Sequence, residues 1–241
     1  MRLFVLCAFA LVACKAPPPR AAIRVAAASD LTIAFEAMRT EFEKSSGEKL
    51  EFVFGSSGQL SKQLVEGAPY DLFASANEGF TDAPIASGVC KGDTRAQYAE
   101  GHLAVFSPKE PITALSNLKE ARFVRIAIAN PALAPYGKAA KEALSHAGLW
   151  ELVEPRIVYG QNIQQALQLA VSGNVEAAIV SRSLAKDGLA IDPSLYAPLK
   201  QSLVVCTGGK NVPGAEKFRA YVLGERGRGV LANAGFGLPA H

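Results

Sequence analysis

Gly55-Ser56-Ser57-Gly58 places two hydroxyls between glycines, after an apolar run at residues 50–54 and before a pattern that sets Leu60 and Leu64 on one helical face. Where a strand hands over to a helix through such a turn, backbone N–H groups can converge on an anion. The helix start adds roughly half a positive charge with no basic side chain. The same residues also fit a serine N-cap in a tight turn, so the rest of the chain has to decide. Other strand exits repeat the theme. Ser29-Asp30 follows the apolar residues 23–28, Ser75-Ala76-Asn77 closes a short run that begins at Tyr70, and Ser181 follows residues 177–180.

The chemistry open to these residues is binding. The serine turn lacks the Gly-x-Ser-x-Gly pattern of a nucleophile elbow. His102, His146 and His241 stand at a strand start, near a helix end and at the terminus, none in the setting of a general base. Carboxylates are scattered and metal-ligand spacings are absent, which argues against an enzyme.

Alternating strands and helices would bring these exits to one rim. Residues 23–28 read as a buried strand, after which Leu31, Ala34, Phe35, Met38 and Phe42 recur at helical spacing up to Ser45-Ser46-Gly47. Residues 50–54 are the second strand, 59–66 the second helix and 70–76 a third short strand. That alternation predicts a parallel sheet with helical crossovers, whose ligands bind beyond the carboxyl ends of the strands. The pattern then recurs. A strand at 102–106 precedes one at 124–129, and Asn130-Pro131 to Tyr136-Gly137 leads into a helix from Lys138. A strand at 157–159 exits through Gly160-Gln161-Asn162 into a helix carrying Ile163, Leu167 and Val171 inward, followed by a strand at 177–180. A strand at 202–206 and helices over 214–223 and 227–234 close the chain. The two α/β series carry no fixed-period repeat, and the strands 102–106 and 202–206 are the natural crossings between two lobes.

Composition agrees with a globular domain or two small lobes: 49% hydrophobic, 20% charged, and a net charge of +3. Charges are interspersed with no basic tract, which argues against nucleic acid as a partner. Residues 1–13 hold Arg2 and then an apolar run too short to span a membrane, and read as a signal peptide. Leu11-Val12-Ala13-Cys14 resembles the bacterial lipobox, in which the cysteine is lipidated, and residues 14–22, with Pro17-Pro18-Pro19, read as a stiff tether. Several acyl chains would anchor the protein to a membrane where a single chain binds marginally. Cys90 and Cys206 then remain as an even pair in an exported chain, which favours a disulfide over two buried free thiols.

With these junctions set out, the chain resembles the molybdate-binding proteins of bacterial ABC importers over residues 23–236. The matching segments are Val25-Ala26-Ala27-Ala28-Ser29, Phe54-Gly55-Ser56-Ser57-Gly58-Gln59-Leu60 and Gly67-Ala68-Pro69-Tyr70-Asp71-Leu72-Phe73-Ala74-Ser75-Ala76, with Asn130-Pro131, Ala134-Pro135-Tyr136-Gly137 and Gly235-Phe236. The resemblance implies an α/β, two-lobed periplasmic-binding-protein fold of type II. Each lobe would be a mixed, mostly parallel sheet flanked by helices, joined by two crossing strands, with lobe I at 23–104 plus 202–241 and lobe II at 105–201. It further implies a monomer on the periplasmic side, lipid-anchored through Cys14, that binds molybdate, and tungstate, in its cleft and delivers it to a membrane permease. No cofactor is implied, and molybdenum would be held only through its oxygens.

Carried over residue by residue, Ser29 and Ser57 match hydroxyl-plus-amide ligands of lobe I, Tyr136 a ligand position of lobe II, and Ile163 a backbone N–H donor at a helix start. Some family members place a ligating tyrosine where this chain has Ser181, so a contact from Ser181 is open. Asp30, a carboxylate, would repel a dianion and is expected to face away, while Ser56 shapes the turn. The alternatives are a same-fold protein for another oxyanion, tungstate-selective or sulfate-binding, or a hydrolase.

Overall fold

The computed structural model describes residues 21–239, so the expected signal segment, Cys14 and most of the tether lie outside the described residues. In chain order the first part runs β1 (Ile23–Ala28), a single 3-10 turn (Ser29–Leu31), α1 (Thr32–Ser46), β2 (Leu50–Gly55), α2 (Ser57–Val65), β3 (Leu72–Ser75), α3 (Asp82–Ala86) and β4 (Ala96–Gly101). The second part holds β5 (Leu103–Phe106), β6 (Ile126–Ala129), α4 (Pro135–His146), α5 (Trp150–Val153), β7 (Ile157–Gly160), α6 (Ile163–Val171), β8 (Ala177–Ser181) and β9 (Leu189–Ala190). The chain then returns through β10 (Leu199–Val205) and ends in α7 (Val212–Leu223) and α8 (Glu225–Asn233).

These elements make two five-stranded sheets, ordered β2-β1-β3-β10-β4 and β7-β6-β8-β5-β9. In the first, β1 runs parallel to β2 and β3 while β10 runs antiparallel to β3 and β4. In the second, β6 runs parallel to β7 and β8, and β5 antiparallel to β8 and β9. Both are mixed sheets flanked by helices, as the two-lobed expectation requires.

The change of sheet falls at His102. Gly101 still pairs with Leu199 in the first sheet, whereas Leu103 already pairs with Ser181 in the second. On the return, β10 enters the first sheet at Leu199. The β4–β10 ladder extends right up to this crossing, close to the junctions expected at 104/105 and 201/202. Strand β4, Ala-Gln-Tyr-Ala-Glu-Gly, carries too little apolar alternation to be read from sequence.

Side-chain pattern explains the layers. Phe35 and Phe42 of α1 bury their rings against Phe218 of α7, at centroid distances of 5.4 and 5.0 Å, so the last helices close the first lobe. Helix α6 buries Ile163, Ala166 and Ala170. The expected inward face, Ile163-Leu167-Val171, is corrected: Val171 is 55% exposed, since the alanine stripe lets the helix lie close to the sheet. Among the described residues, no helix is long and apolar enough to cross a membrane.

Cys90 and Cys206 form a disulfide with an S–S distance of 2.02 Å, fastening the loop before β4 to the end of β10. The bond spans 116 residues, and closing a loop of that size is worth about 5 kcal/mol in the chain-entropy model. Replacing both cysteines by alanine should lower the denaturant midpoint by the equivalent of about 3–5 kcal/mol, read from urea unfolding under non-reducing conditions. A midpoint unchanged from the wild type would show that the unfolded chain is already constrained there.

Candidate functional site

Four helical starts face one another where the two sheets meet. Ser57 opens α2, and its preceding residue Ser56 stands at the N-cap position without making a side-chain cap. The Ser57 Oγ instead accepts the Ala76 N–H at 3.0 Å, which leaves the hydroxyl's own proton free to donate. Ser29 opens the 3-10 turn after β1. Its carbonyl accepts Thr32 Oγ1 at 2.8 Å, and among the described residues its hydroxyl has no partner. Both serines are buried.

The second lobe contributes two starts through its main chain. Pro135 takes the first position of α4, where its missing N–H costs nothing. Gly137 and Lys138 both donate to Ala134 O, and the Tyr136 N–H just before them has no intrahelical acceptor. Asn162 caps α6 by accepting the Gln165 N–H at 2.9 Å, leaving the Ile163 and Gln164 amides open. No basic side chain enters this group: Lys138 is 72% exposed and pairs with Glu142 on the same helix face. Among the described residues, no cluster of three or more His, Cys, Asp or Glu side chains could hold a metal ion. The donor set suits an anion that is neutralised by N–H and O–H groups alone.

Interlobe bonds draw these starts together. The Gly58 N–H, in the first turn of α2, donates to Leu133 O at 2.9 Å, just before α4. Thr32 Oγ1 at the start of α1, whose proton goes to Ser29 O, lies 3.2 Å from the Gln164 side-chain amide at the start of α6. Ser183 Oγ donates to Asp30 O at 2.8 Å. An open crevice of about 270 Å³ beside this junction is lined by Asn77, Phe80, Pro131, Pro135, Lys138 and Leu199, and by none of Ser29, Ser57, Ile163 or Ser181.

Ser181 is fully buried at the end of β8, and its hydroxyl lies 2.7 Å from Ser183 Oγ. Ser183 gives its one proton to the Asp30 carbonyl, so Ser181 must donate to Ser183 and has none left for a ligand. Asp30, expected to turn its carboxylate away from an anion, is fully buried, and its Oδ2 accepts Tyr136 Oη at 2.9 Å and Gln201 Nε2 at 2.7 Å. The Tyr136 side chain is thus turned to a carboxylate. Ser75 closes on its own turn, bonding Asn77 N and O.

Sequence reasoning missed Gln201 and Tyr98. Tyr98 Oη donates to Gln201 Oε1 at 2.7 Å, which aims the Gln201 amide at Asp30 and at Tyr136 Oη. Both sit on strands β4 and β10, where nothing local marks them as polar partners. Among the described residues, three buried side-chain atoms stay without a partner: Asp30 Oδ1, Ser56 Oγ and Ser202 Oγ. Ser56, assigned to the turn, is thus a buried hydroxyl whose bonding capacity is unused.

With the geometry in hand, the chain belongs to the bacterial extracellular solute-binding proteins, the family it matches over residues 23–237. It is therefore an extracytoplasmic binding protein and not an enzyme. It is 33% identical to the molybdate-binding protein ModA of Azotobacter vinelandii over 98% of this chain and 97% of the relative. It is 30% identical to ModA of Rhodobacter capsulatus, covering 88% and 86%. Among solved structures, the Azotobacter vinelandii periplasmic molybdate-binding protein superposes with a TM-score of 0.84 at 28% identity, covering 90% of this chain and all of that one.

Gly58 marks a close main-chain approach between the lobes. A Cβ there would lie 2.8 Å from Leu133 O and 3.2 Å from Leu133 Cα, both main-chain atoms of the opposite lobe. Gly58→Ala should leave the apo melting temperature within about 3 °C of the wild type and weaken anion binding by about tenfold or more, a loss of roughly 1.4 kcal/mol, measured by calorimetry. Unchanged affinity would mean the lobes need not approach this closely.

Asp30 generates a pH effect. Burial pushes its carboxyl up to about 6, against the downward pull of the Gln201 and Tyr136 bonds and of the main-chain N–H groups of Asp30 and Leu31. A carboxyl raised in the folded state binds its proton more tightly there, so its stabilising contribution is complete below about pH 4 and is lost as pH rises through about 6. The stability of the wild type relative to Asp30→Asn should therefore grow by about 3 kcal/mol between pH 7 and pH 4, followed by urea unfolding. A difference independent of pH would place the carboxyl at its ordinary value.

Proposed function

We propose that the chain binds molybdate in the closed cleft between its lobes and delivers it to the membrane permease of an ABC importer. The observation that carries this reading is the ring of unengaged donors: the Ser29 and Ser57 hydroxyls and the N–H groups at Ser57, Tyr136 and Ile163, at converging helix starts with no cation among them. The molybdate-binding relatives support the same reading. Each charge-assisted hydrogen bond contributes about 1.5–3 kcal/mol, and several together offset the cost of taking a dianion out of water.

The donors also set selectivity. A site built of donors favours an oxyanion without a proton, whose O–H would otherwise lack an acceptor, so phosphate near neutral pH is disfavoured. Sulfate passes that test, and its exclusion rests on the fit of the closed cavity to the larger molybdate and tungstate. Tungstate, of the same shape and charge, is accepted beside molybdate. The protein works as a monomer, held to the extracytoplasmic side of a membrane by lipid on Cys14.

Thermal denaturation with molybdate, tungstate, sulfate and phosphate tests this directly. A ligand at 100 times its Kd adds about 2.7 kcal/mol, which for a chain of this size raises the Tm by about 5–10 °C. Molybdate and tungstate should produce that rise and sulfate and phosphate should not. Ser57→Ala should weaken molybdate binding by about tenfold, because one hydroxyl donor to the anion is lost. No shift with any of the four anions would remove the oxyanion reading.

A further inference from the structure

The residue next to Ser29 is gripped by the second lobe at two points. Tyr136 Oη, from the first turn of α4, donates to Asp30 Oδ2 at 2.9 Å, and Ser183 Oγ, just after β8, donates to the Asp30 carbonyl at 2.8 Å. Gln201, on the crossing strand β10, braces the contact from the first lobe by donating to Asp30 Oδ2 at 2.7 Å and to Tyr136 Oη at 2.9 Å. Tyr98 of β4 in turn holds the Gln201 carboxamide oriented through its Oε1. The phenol enters over Gly101, the last residue of β4, and any Cβ there would collide with Tyr136 Oη and Cζ. The slot is shaped for this ring.

We propose that Asp30 is a positioning residue, the acceptor of an interlobe latch in which Tyr136 of the second lobe engages the carboxylate beside the anion site and holds the cleft shut. The proposal rests on the anion site described above. The Tyr136 side chain and the Tyr136 N–H belong to one residue, so docking the phenol on Asp30 also fixes where the α4 start presents its amide. Ser29, one residue before Asp30, is fixed from the other side. Opening the lobes must break two hydrogen bonds to this one residue, one of them to an acceptor carrying charge, which is the stronger kind. The latch therefore acts on release of the anion more than on its entry.

The test uses the disulfide-intact protein with nitroxides at Lys62→Cys and Glu151→Cys, one exposed position on each lobe, to follow interlobe distance. Stopped-flow gives molybdate association and dissociation. Tyr136→Phe, which keeps the ring and removes the donor, should speed dissociation by about tenfold with association nearly unchanged. It should also broaden the molybdate-bound distance distribution toward the open form. Asp30→Ala should match it, Asp30→Asn, which keeps an acceptor oxygen, should recover part of the effect, and Tyr136→Phe combined with Asp30→Ala should be no worse than Asp30→Ala alone. Gly101→Ala, which fills the slot while leaving Tyr136 and Asp30 themselves unsubstituted, should reproduce the fast release. Wild-type dissociation rates and distances in Tyr136→Phe and Gly101→Ala, or additive losses in the double variant, would overturn the latch. A wild type that neither closes nor binds with molybdate, tungstate, sulfate or phosphate would instead overturn the oxyanion reading.

Discussion

Charge balance without a countercharge is the constraint on which this structure depends. Among the described residues, the meeting of the lobes holds helix starts and buried serine hydroxyls, while the nearby Lys138 turns out to Glu142. Partial charges on N–H groups are fixed in direction and fall off within a turn of helix. They can act on a common point only if several helices are aimed at it from short range. That requirement explains why strand ends, and not strand faces, carry the polar residues, and why two sheets are needed. One sheet presents the starts at Ser29 and Ser57, the other those at Tyr136 and Ile163, and neither pair surrounds a ligand alone.

Close approach follows from the same constraint. Glycine at position 58 lets α2 touch the main chain of Leu133. Glycine at 101 leaves room for the Tyr136 ring where the chain changes sheets. Alanines at 166 and 170 bring α6 down onto its sheet, and with it the amide of Ile163. Each small residue shortens a distance over which a partial charge must act, so packing and electrostatics in this cleft are one property.

Much of this was legible in the sequence because the determinants are local. Period-two and period-3.6 patterns marked most of the strands and helices of the first lobe, and the serine at the end of a buried strand marked the rim. Asn162 before Ile163 is a cap that sequence can announce. What escaped was set by contacts between distant residues. Asp30 was expected to be a poor anion ligand, but its partners lie 106 and 171 residues away and gave no local sign. Ser181 carries the right atom for a ligand. Its proton is directed elsewhere by Ser183, two residues on, which in turn answers to Asp30 in the other lobe. Strand β4 was invisible because its partner, β10, supplies the apolar contacts that its own residues lack.

The carboxylate at Asp30 is then the hardest feature to reconcile with an anion site, and also the most informative. A neutral residue would spare the cleft a buried charge that is held up to about 6 and retains an unpaired oxygen. Its retention makes sense if what matters is direction. A carboxylate offers an acceptor that contributes nothing to the donor ring, so Tyr136 and Gln201 can be bound firmly without competing for the ligand. In the proposed site the donors serve the anion, and the acceptor serves Tyr136 and Gln201. The two sets meet at adjacent residues, Ser29 and Asp30, where the chain passes from strand to helix. That junction joins recognition to closure, which a ring of donors alone could not do.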